Sequence, residues 1–495
     1  MAIQKISAAI KDRHGPLPGL SLFFRTQRCL LPVVFTLLLG GAAAGCADYT
    51  PRPITAQQTL EDFEARRLDA PELGELLRDG IGIGTWPPTR WDLDALTLVA
   101  FYYSPDMDVA RARWGVAQAG MITAGMRPNP DVAAGIGYNS TSVGITPWIP
   151  EAILALTIET AGKRGIRIDE SRHISEAARL NVLSTAWSVR SRLRAAYIDL
   201  FLARGTGTNL RRERDLRAES VRLLEVQLAA GEISPNEMTQ ARIALNQTEL
   251  AVLDAAQRER QAGIRLAAAL GVPNAALDGI DFGFADLQQS GPEPPDNEIR
   301  RRALTNRSDI LGALADYEAS QEALRLEIAK QYPDISIAPG FQLDQVDAKW
   351  LLGFGFSLPV FHKNEGPIAE AEARREEMAA TVLAVQARII SEVEIAVAAY
   401  QAAAGKTATT DALVARLQEQ ETVASSAYRL GEISRLELLS VQLELTAGEQ
   451  ARLEVLGSAQ QATSELENAI QSPIDLPDWV LETPVRASAE QGHGR

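Results

Sequence analysis

The feature that most constrains this chain is that it contains itself twice. Residues 106–138 align without gaps onto 309–341: Asp106, Ala110, Ala112, Pro130, Asp131 and Gly137 meet Asp309, Ala313, Ala315, Pro333, Asp334 and Gly340, an offset of 203. Two further matches follow in the same order at an offset of 200. They are Leu154–Ile158 onto Phe354–Leu358, and Gly231-Glu-Ile-Ser234 onto Gly431-Glu-Ile-Ser434. A unit of about 200 residues is far longer than a solenoid repeat, so each copy is a whole assembly of elements.

Both units read alike. A helix, roughly 106–127 and 309–330, stops before a proline break (Pro128 and Pro130; Pro333), where a backbone donor is missing. Alternating segments follow: Val132, Ala134, Ile136, Tyr138, then Leu154, Leu156, Ile158. In the second unit these are Ile335, Ile337, Phe341, then Trp350, Leu352, Phe354, Phe356, Leu358. Apolar alternation with small or polar residues between predicts strands, near 131–139, 152–160, 334–342 and 350–358. Pro339 argues for an edge or a bulge. About nine residues is the length a tilted strand needs to cross a bilayer core.

Long helices complete each unit. Residues 167–229 lack proline, with Gly205-Thr-Gly207 as the weak point, and would span about 90 Å at the helical rise. A second helix runs to Leu270, and unit two repeats the pair at roughly 367–429 and 435–471, with Gly405 in the interior. Steps of three and four residues (Val221, Leu224, Leu228; Leu438, Val441, Leu445) suggest hairpins with coiled-coil-like packing. The resulting map is a leader 1–45, an N-terminal segment 46–95, a first repeat 96–271, a linker 272–305, a second repeat 306–471 and a tail 472–495. The segments outside the repeats read as connectors.

The leader is basic (Lys5, Lys11, Arg13, Arg25, Arg28), then apolar from Leu30 to Leu39, then small up to Gly45, and it ends at Cys46. That order is a signal peptide. Ala43-Ala44-Gly45-Cys46 resembles a bacterial lipobox, which would make Cys46 an acylated first residue; an ordinary signal peptide with an incidental cysteine is the alternative. With only Cys29 and Cys46, the mature chain has no internal disulfide. A net charge of −15 argues against nucleic acid as a partner. His14, His173, His362 and His493 are scattered, so no metal-ligand spacing arises. Gly135-Ile-Gly137 and Gly162-Lys163 lack the context of phosphate loops. There is no nucleophile–base pair. No catalytic residue, cofactor or bound metal is expected, and the chain does not read as an enzyme.

Four membrane-length strands cannot stand alone in lipid, because each unpaired edge group costs several kcal/mol. Nor can four strands close around side chains, since about eight is the usual minimum. Copies must share a barrel, and the strand count alone admits two copies or three. The motifs resemble those of the TolC family of outer-membrane factors. Tyr428-Arg-Leu-Gly431-Glu-Ile-Ser434 before Leu436-Glu-Leu-Leu439 is similar to its hairpin tip, and Phe356-Ser-Leu-Pro359-Val-Phe361 with Asn364 and Gly366 to its strand exit. Glu159-Thr-Ala-Gly162-Lys-Arg-Gly165-Ile-Arg167 resembles the heavy-metal-efflux, CzcC-like branch.

The resemblance covers about residues 90–471 and implies a fold and an assembly. The fold is mainly α with a small membrane sheet: a homotrimer with a twelve-stranded β-barrel continued by a periplasmic α-helical barrel. The chain would sit in the outer membrane lipid of a Gram-negative cell, reaching an inner-membrane pump of the RND type through a periplasmic adaptor. Metal cations are the cargo the branch suggests. A type I secretion or drug-efflux duct is the alternative, and a lipid-anchored periplasmic coiled-coil protein is the reading from another class.

The resemblance assigns adaptor docking to the hairpin tips: Gly231, Glu232, Ile233 and Ser234 in the first, and Tyr428, Arg429, Leu430, Gly431, Glu432, Ile433 and Ser434 in the second. The first tip reads Leu228-Ala-Ala-Gly231 and departs from the Tyr-Arg pattern. Physically, each glycine permits a left-handed turn and each serine can cap the next helix in a box with Glu237 or Glu437. Those two carboxylates are also the candidates for a charged ring at the pore mouth; capping on a solvated face is the plainer reading. Lys163, Arg164 and Arg167, after a strand exit, would meet lipid phosphates or form a salt-bridged turn.

Overall fold

The computed structural model describes residues 49–81, 84–141, 144–288 and 298–471. The leader 1–45, Cys46, Pro292, Pro294 and Pro295 of the linker, and the tail 472–495 lie outside the described residues. Of the described residues, 49–62 belong to a unit of their own, within which α1 (Ala56–Glu64) begins.

From Phe63 onward the repeats set the order. After α2 (Pro71–Ile81) and α3 (Leu93–Tyr103), the first repeat runs α4 (Pro105–Gly125), β1 (Asp131–Tyr138), β2 (Trp148–Ile158), α5 (Lys163–Ala229) and α6 (Pro235–Leu270). After α7 (Glu298–Asn306), the second runs α8 (Ser308–Ala329), β3 (Ile335–Asp344), β4 (Asp347–Gly355), α9 (Glu365–Leu430) and α10 (Arg435–Ile470). Punctuation is local. The Asp92 carboxylate accepts from the Ala95 amide at 2.9 Å to start α3, and Pro105 ends it and opens α4.

The four strands form one antiparallel sheet in the order β1-β2-β3-β4. The repeats therefore join edge to edge through β2 and β3, with Ile153 opposite Gly340 and Leu156 opposite Ile337. Pro339 lies on an inner strand, not an edge. The β2–β3 register lapses at the two positions around it, while the β3–β4 register runs through with Pro339 opposite Leu352. Proline removes a donor on one side of a strand only, and this is what that loss does to a ladder. β2 starts at Trp148, earlier than alternation predicts, because Pro150 and Glu151 pair with Ile136 and Gly135 in spite of their type. β4 ends at Gly355, earlier than predicted.

The helices α5 and α9 run unbroken for 67 and 66 residues, about 100 Å each. Gly205 does not interrupt α5. It makes room for α10: a Cβ there would lie 2.6 Å from Leu453 Cδ2. Gly457 on α10 in turn receives Leu202, 2.5 Å from its virtual Cβ. Reciprocal knobs on glycines bring the two repeats into close contact along this line.

The segment 46–95 is more than a connector. Leu68, Leu73, Leu77 and Trp91 are buried in the main core with Tyr197 of α5, and the 95/96 boundary falls inside α3. Trp91 pairs with the linker between the repeats, donating to Asp281 O and accepting from Gly283 N at 2.9 Å each. Arg66 donates to the carbonyls of Tyr103 at 2.9 Å and Gly271 at 2.7 Å, closing the ends of α3 and α6. A second core joins Ile299, Ile310, Ile389, Tyr400 and Leu466.

Between these cores one buried polar cluster crosses the repeats. Arg190 and Arg194 of α5 both donate to the carboxylate of Glu467 on α10, which has no exposed surface. Removing one partner from such a cluster leaves buried charge unanswered. Glu467→Gln is expected to lower stability by about 3–5 kcal/mol, measured by denaturant unfolding in detergent; an unchanged midpoint would show that the cluster carries no such weight.

Candidate functional site

The sheet has two chemically different faces. Facing pairs in antiparallel strands share a side, and the register gathers the alternating apolar residues of all four strands onto one. On that face lie Val132 with Leu154, Ile136 with Pro150, Leu156 with Ile337 and Ile337 with Phe354. Near the β-hairpin turns it carries edge-on aromatic pairs, Tyr138–Trp148 at 4.9 Å and Phe341–Trp350 at 5.1 Å. Trp350 is 80% exposed and Phe354 67%. The opposite face is mostly small and polar, with Gly135, Glu151, Thr157, Ser336, Gln342 and Lys349, and carries Ile149, Ile153 and Leu351 opposite glycines or alanine. An exposed apolar face with an aromatic border, backed by a face of mostly small and polar residues, is the pattern of a lipid-facing barrel wall. No described helix is long and apolar enough to cross a membrane.

Where the sheet meets the helices, the basic cluster is spent on internal partners. Lys163 donates to Asp334 Oδ1 at 2.7 Å and to the Tyr332 carbonyl at 2.6 Å. The Thr160 amide reaches the same Asp334 oxygen at 2.9 Å. Burial opposes ionisation of Asp334, yet Lys163 and the Thr160 amide together hold its carboxyl below the usual range. Arg164 caps the Gly125 carbonyl at 2.7 Å, and Arg167 grips Glu159. Of the two readings of this cluster, the structure has the salt-bridged turn.

At the far ends of the long helices the two tips share one backbone solution. Gly231 and Gly431 take φ of 74° and 79°, the left-handed region. At the first tip the Glu232 amide donates to Gln227 O at 2.8 Å and the Gly231 amide to Leu228 O at 3.0 Å. At the second, Glu432 reaches Ala427 O at 2.9 Å and Gly431 reaches Tyr428 O at 3.0 Å. These are paired Schellman closures. Ser234 and Ser434 cap the next helices, and Glu237 and Glu437 return to the serine amides at 3.2 and 2.7 Å. Donation from the Ser434 amide and hydroxyl holds the Glu437 carboxyl below its ordinary range. Ile233 and Ile433 are half-buried, while Glu232, Arg429, Leu430 and Glu432 are exposed.

The tips differ in one link. Where the first has Pro235, the second has Arg435, which holds Glu219 of α5 through two bonds of 2.8 and 2.9 Å and lies over the Tyr428 ring at 5.5 Å. The first tip has Leu228 and Pro235 at the aligned positions and so lacks this contact.

The profile of the family described as outer membrane efflux protein matches this chain twice, over residues 100–272 and 299–471. The chain belongs to that family. Efflux proteins of this kind are channels of the outer membrane reaching into the periplasm, and this one is an outer-membrane efflux channel, not an enzyme. The cobalt-zinc-cadmium resistance protein CzcC of Cupriavidus metallidurans is 22% identical over 388 residues, 76% of this chain and 89% of that protein. Among solved structures, CusC has a TM-score of 0.63 at 19% identity, covering 78% of this chain and 94% of its own. VceC from Vibrio cholerae has a TM-score of 0.62 at 19% identity, covering 77% and 97%. The paired family match reproduces the internal duplication, and the periplasmic coiled-coil alternative falls with it.

Among the described residues, no group of three His, Cys, Asp or Glu side chains is placed to hold a metal ion. Sequence reasoning missed the Arg435–Glu219 link, although the Pro235/Arg435 mismatch between aligned repeats marks it. It also missed Glu467, which has no local signal. Ser434→Ala is expected to speed hydrogen exchange of the Glu437 amide about fivefold, the equivalent of a cap of about 1 kcal/mol. Because the folded carboxyl of Glu437 titrates below its unfolded value, the box is complete above the unfolded value and is lost as pH falls through the folded one. Exchange at the Ser434 amide, which donates to the Glu437 carboxylate, should therefore accelerate, relative to its neighbours, only on the acid side.

Proposed function

We propose that this chain is the outer-membrane duct of a tripartite efflux system, closing as a homotrimer around a twelve-stranded barrel and a periplasmic helical barrel. The observation that carries this reading is the sheet: four strands of 8 to 11 residues with one apolar face and two outer strands, β1 and β4, whose outer edges meet no other strand among the described residues. Lipid does not tolerate such edges, so copies complete the wall. The relative CusC, described as forming a transmembrane channel, supports the same end state.

Passage through such a duct is passive. The driving step belongs to an inner-membrane pump of the RND type, reached through an adaptor that grips the hairpin tips around Gly231 and Gly431. Cys46, if acylated after removal of the leader, adds a lipid anchor on the periplasmic side. The resistance protein CzcC favours divalent transition-metal cations as cargo. Glu237 and Glu437 would give each copy two carboxylates near the mouth, favouring cations over anions.

Two measurements test this. A deletion strain is expected to become sensitive to cobalt, zinc and cadmium salts and to recover with the intact gene; sensitivity to drugs alone would move the cargo to the drug-efflux alternative. Gly431→Trp places a bulky side chain at a left-handed position. It is expected to abolish efflux and adaptor cross-linking while leaving the detergent-stable oligomer unchanged, and normal efflux would refute tip docking.

A further inference from the structure

The duplication lets each repeat serve as a template for the other, and at one place the first repeat lacks what the second contains. In the second repeat Arg307 stands immediately before α8. Its guanidinium holds Asp309 through two bonds of 3.0 and 2.7 Å, Glu392 of α9 at 2.8 Å, and the carbonyl of Ala469 near the end of α10 at 2.9 Å. Beside it the amide and hydroxyl of Ser308 both donate to the Gln471 side chain at 2.8 Å.

The repeat offsets carry these residues to Ser104, Pro105, Asp106, Arg192, Ala269 and Gly271. All six line one pocket of about 530 Å³ between the start of α4, the middle of α5 and the end of α6. The space has a plain cause. Serine stands where the second repeat has Arg307, and glycine where it has Gln471, so two long side chains are missing from the same frame.

The acceptors that Arg307 uses are still there. Asp106 supplies the carboxylate of Asp309. The Ala269 carbonyl has no donor from its own helix: four residues on stands Pro273, which carries no amide hydrogen, and the Val272 amide goes to Ala267. Ala469 is likewise followed by Pro473 and takes Arg307 instead. The charges of the first repeat cancel at the rim. Arg192 reaches Asp106 with one nitrogen and Arg265 lies 3.4 Å from Asp199, all four side chains being exposed. Left over is the Ala269 carbonyl at the negative end of α6, where a cation is favoured. An ammonium is a point charge. A planar guanidinium can give one edge to a carboxylate and a further N–H to a carbonyl, as Arg307 does.

We infer that this pocket takes a guanidinium group, held between Asp106 and the Ala269 carbonyl as Arg307 is held between Asp309 and Ala469. The group is carried by an arginine side chain of a periplasmic partner or by a free guanidino compound, since both present the same planar fork.

The test reads the pocket through an Ala268→Cys variant, at an exposed position of its lining. The full chain in detergent is labelled with a neutral maleimide, and the unsubstituted protein provides the blank for Cys46. Ethylguanidinium at roughly ten times its dissociation constant is expected to slow labelling about tenfold, and propylammonium of the same charge to leave the rate unchanged. Adding Asp106→Asn should abolish the protection. Adding Ser104→Arg with Arg192→Glu, which rebuilds the set found in the second repeat, should protect with no ligand present. A Gly-Arg-Gly peptide separates the two sources. Protection by the peptide assigns the site to an arginine-bearing partner, and protection by ethylguanidinium alone assigns it to a free guanidino compound. Equal protection by propylammonium, no protection by either cation, or an Ala268→Cys variant that never labels would each overturn the assignment.

Discussion

An amide or carbonyl in hydrocarbon has nowhere to turn but another backbone, and the rest of this molecule is arranged around that demand. The chain brings four strands into one sheet by pairing β2 of one repeat with β3 of the other. This consumes the inner edges and leaves those of β1 and β4. The same pairing sorts the side chains, because alternation in each strand, once in register, turns four separate stripes into a single apolar wall with aromatic rings at its border. A membrane surface is thus the product of register, not of any one strand.

Below the sheet the problem changes from satisfying backbone to bringing long helices close. Helices of 67 and 66 residues meet their own hydrogen bonds and need only lateral packing. Glycines at Gly205 and Gly457 let α5 and α10 approach until leucines fill the gaps. Polar groups that enter this packing are paired: Arg190 and Arg194 with Glu467 in the interior, and Arg435 with Glu219 near the tip. The tips end the helices with left-handed glycines and capping boxes, so both hairpins close with the same backbone geometry.

The duplication gives the two repeats equal elements but not equal surroundings. Lys163 finds Asp334 within the chain, while the corresponding Lys363 and Asp131 remain at the surface. Differences between aligned positions are as telling: Arg435 replaces Pro235 and brings the Tyr428 stacking with it.

Much of this was legible in the amino-acid order because it follows from local periodicity and chain chemistry. The repeat is visible by comparing the chain with itself, and the four alternating strands, the proline breaks at Pro128 and Pro333, and the glycine–serine tips depend on neighbours a few residues away. What the order could not convey depends on residues hundreds of positions apart. That Pro339 sits on an inner strand, that Gly205 marks a close approach and not a weak helix, and that Leu68, Leu73, Leu77 and Trp91 belong to the core are consequences of packing. Burial of Glu467 between two arginines is another, since its side chain looks in sequence like any exposed helical glutamate. Periodicity dictates which face of an element is apolar; only the assembled tertiary structure decides what that face meets, because contact is set by three-dimensional proximity and not by spacing along the chain.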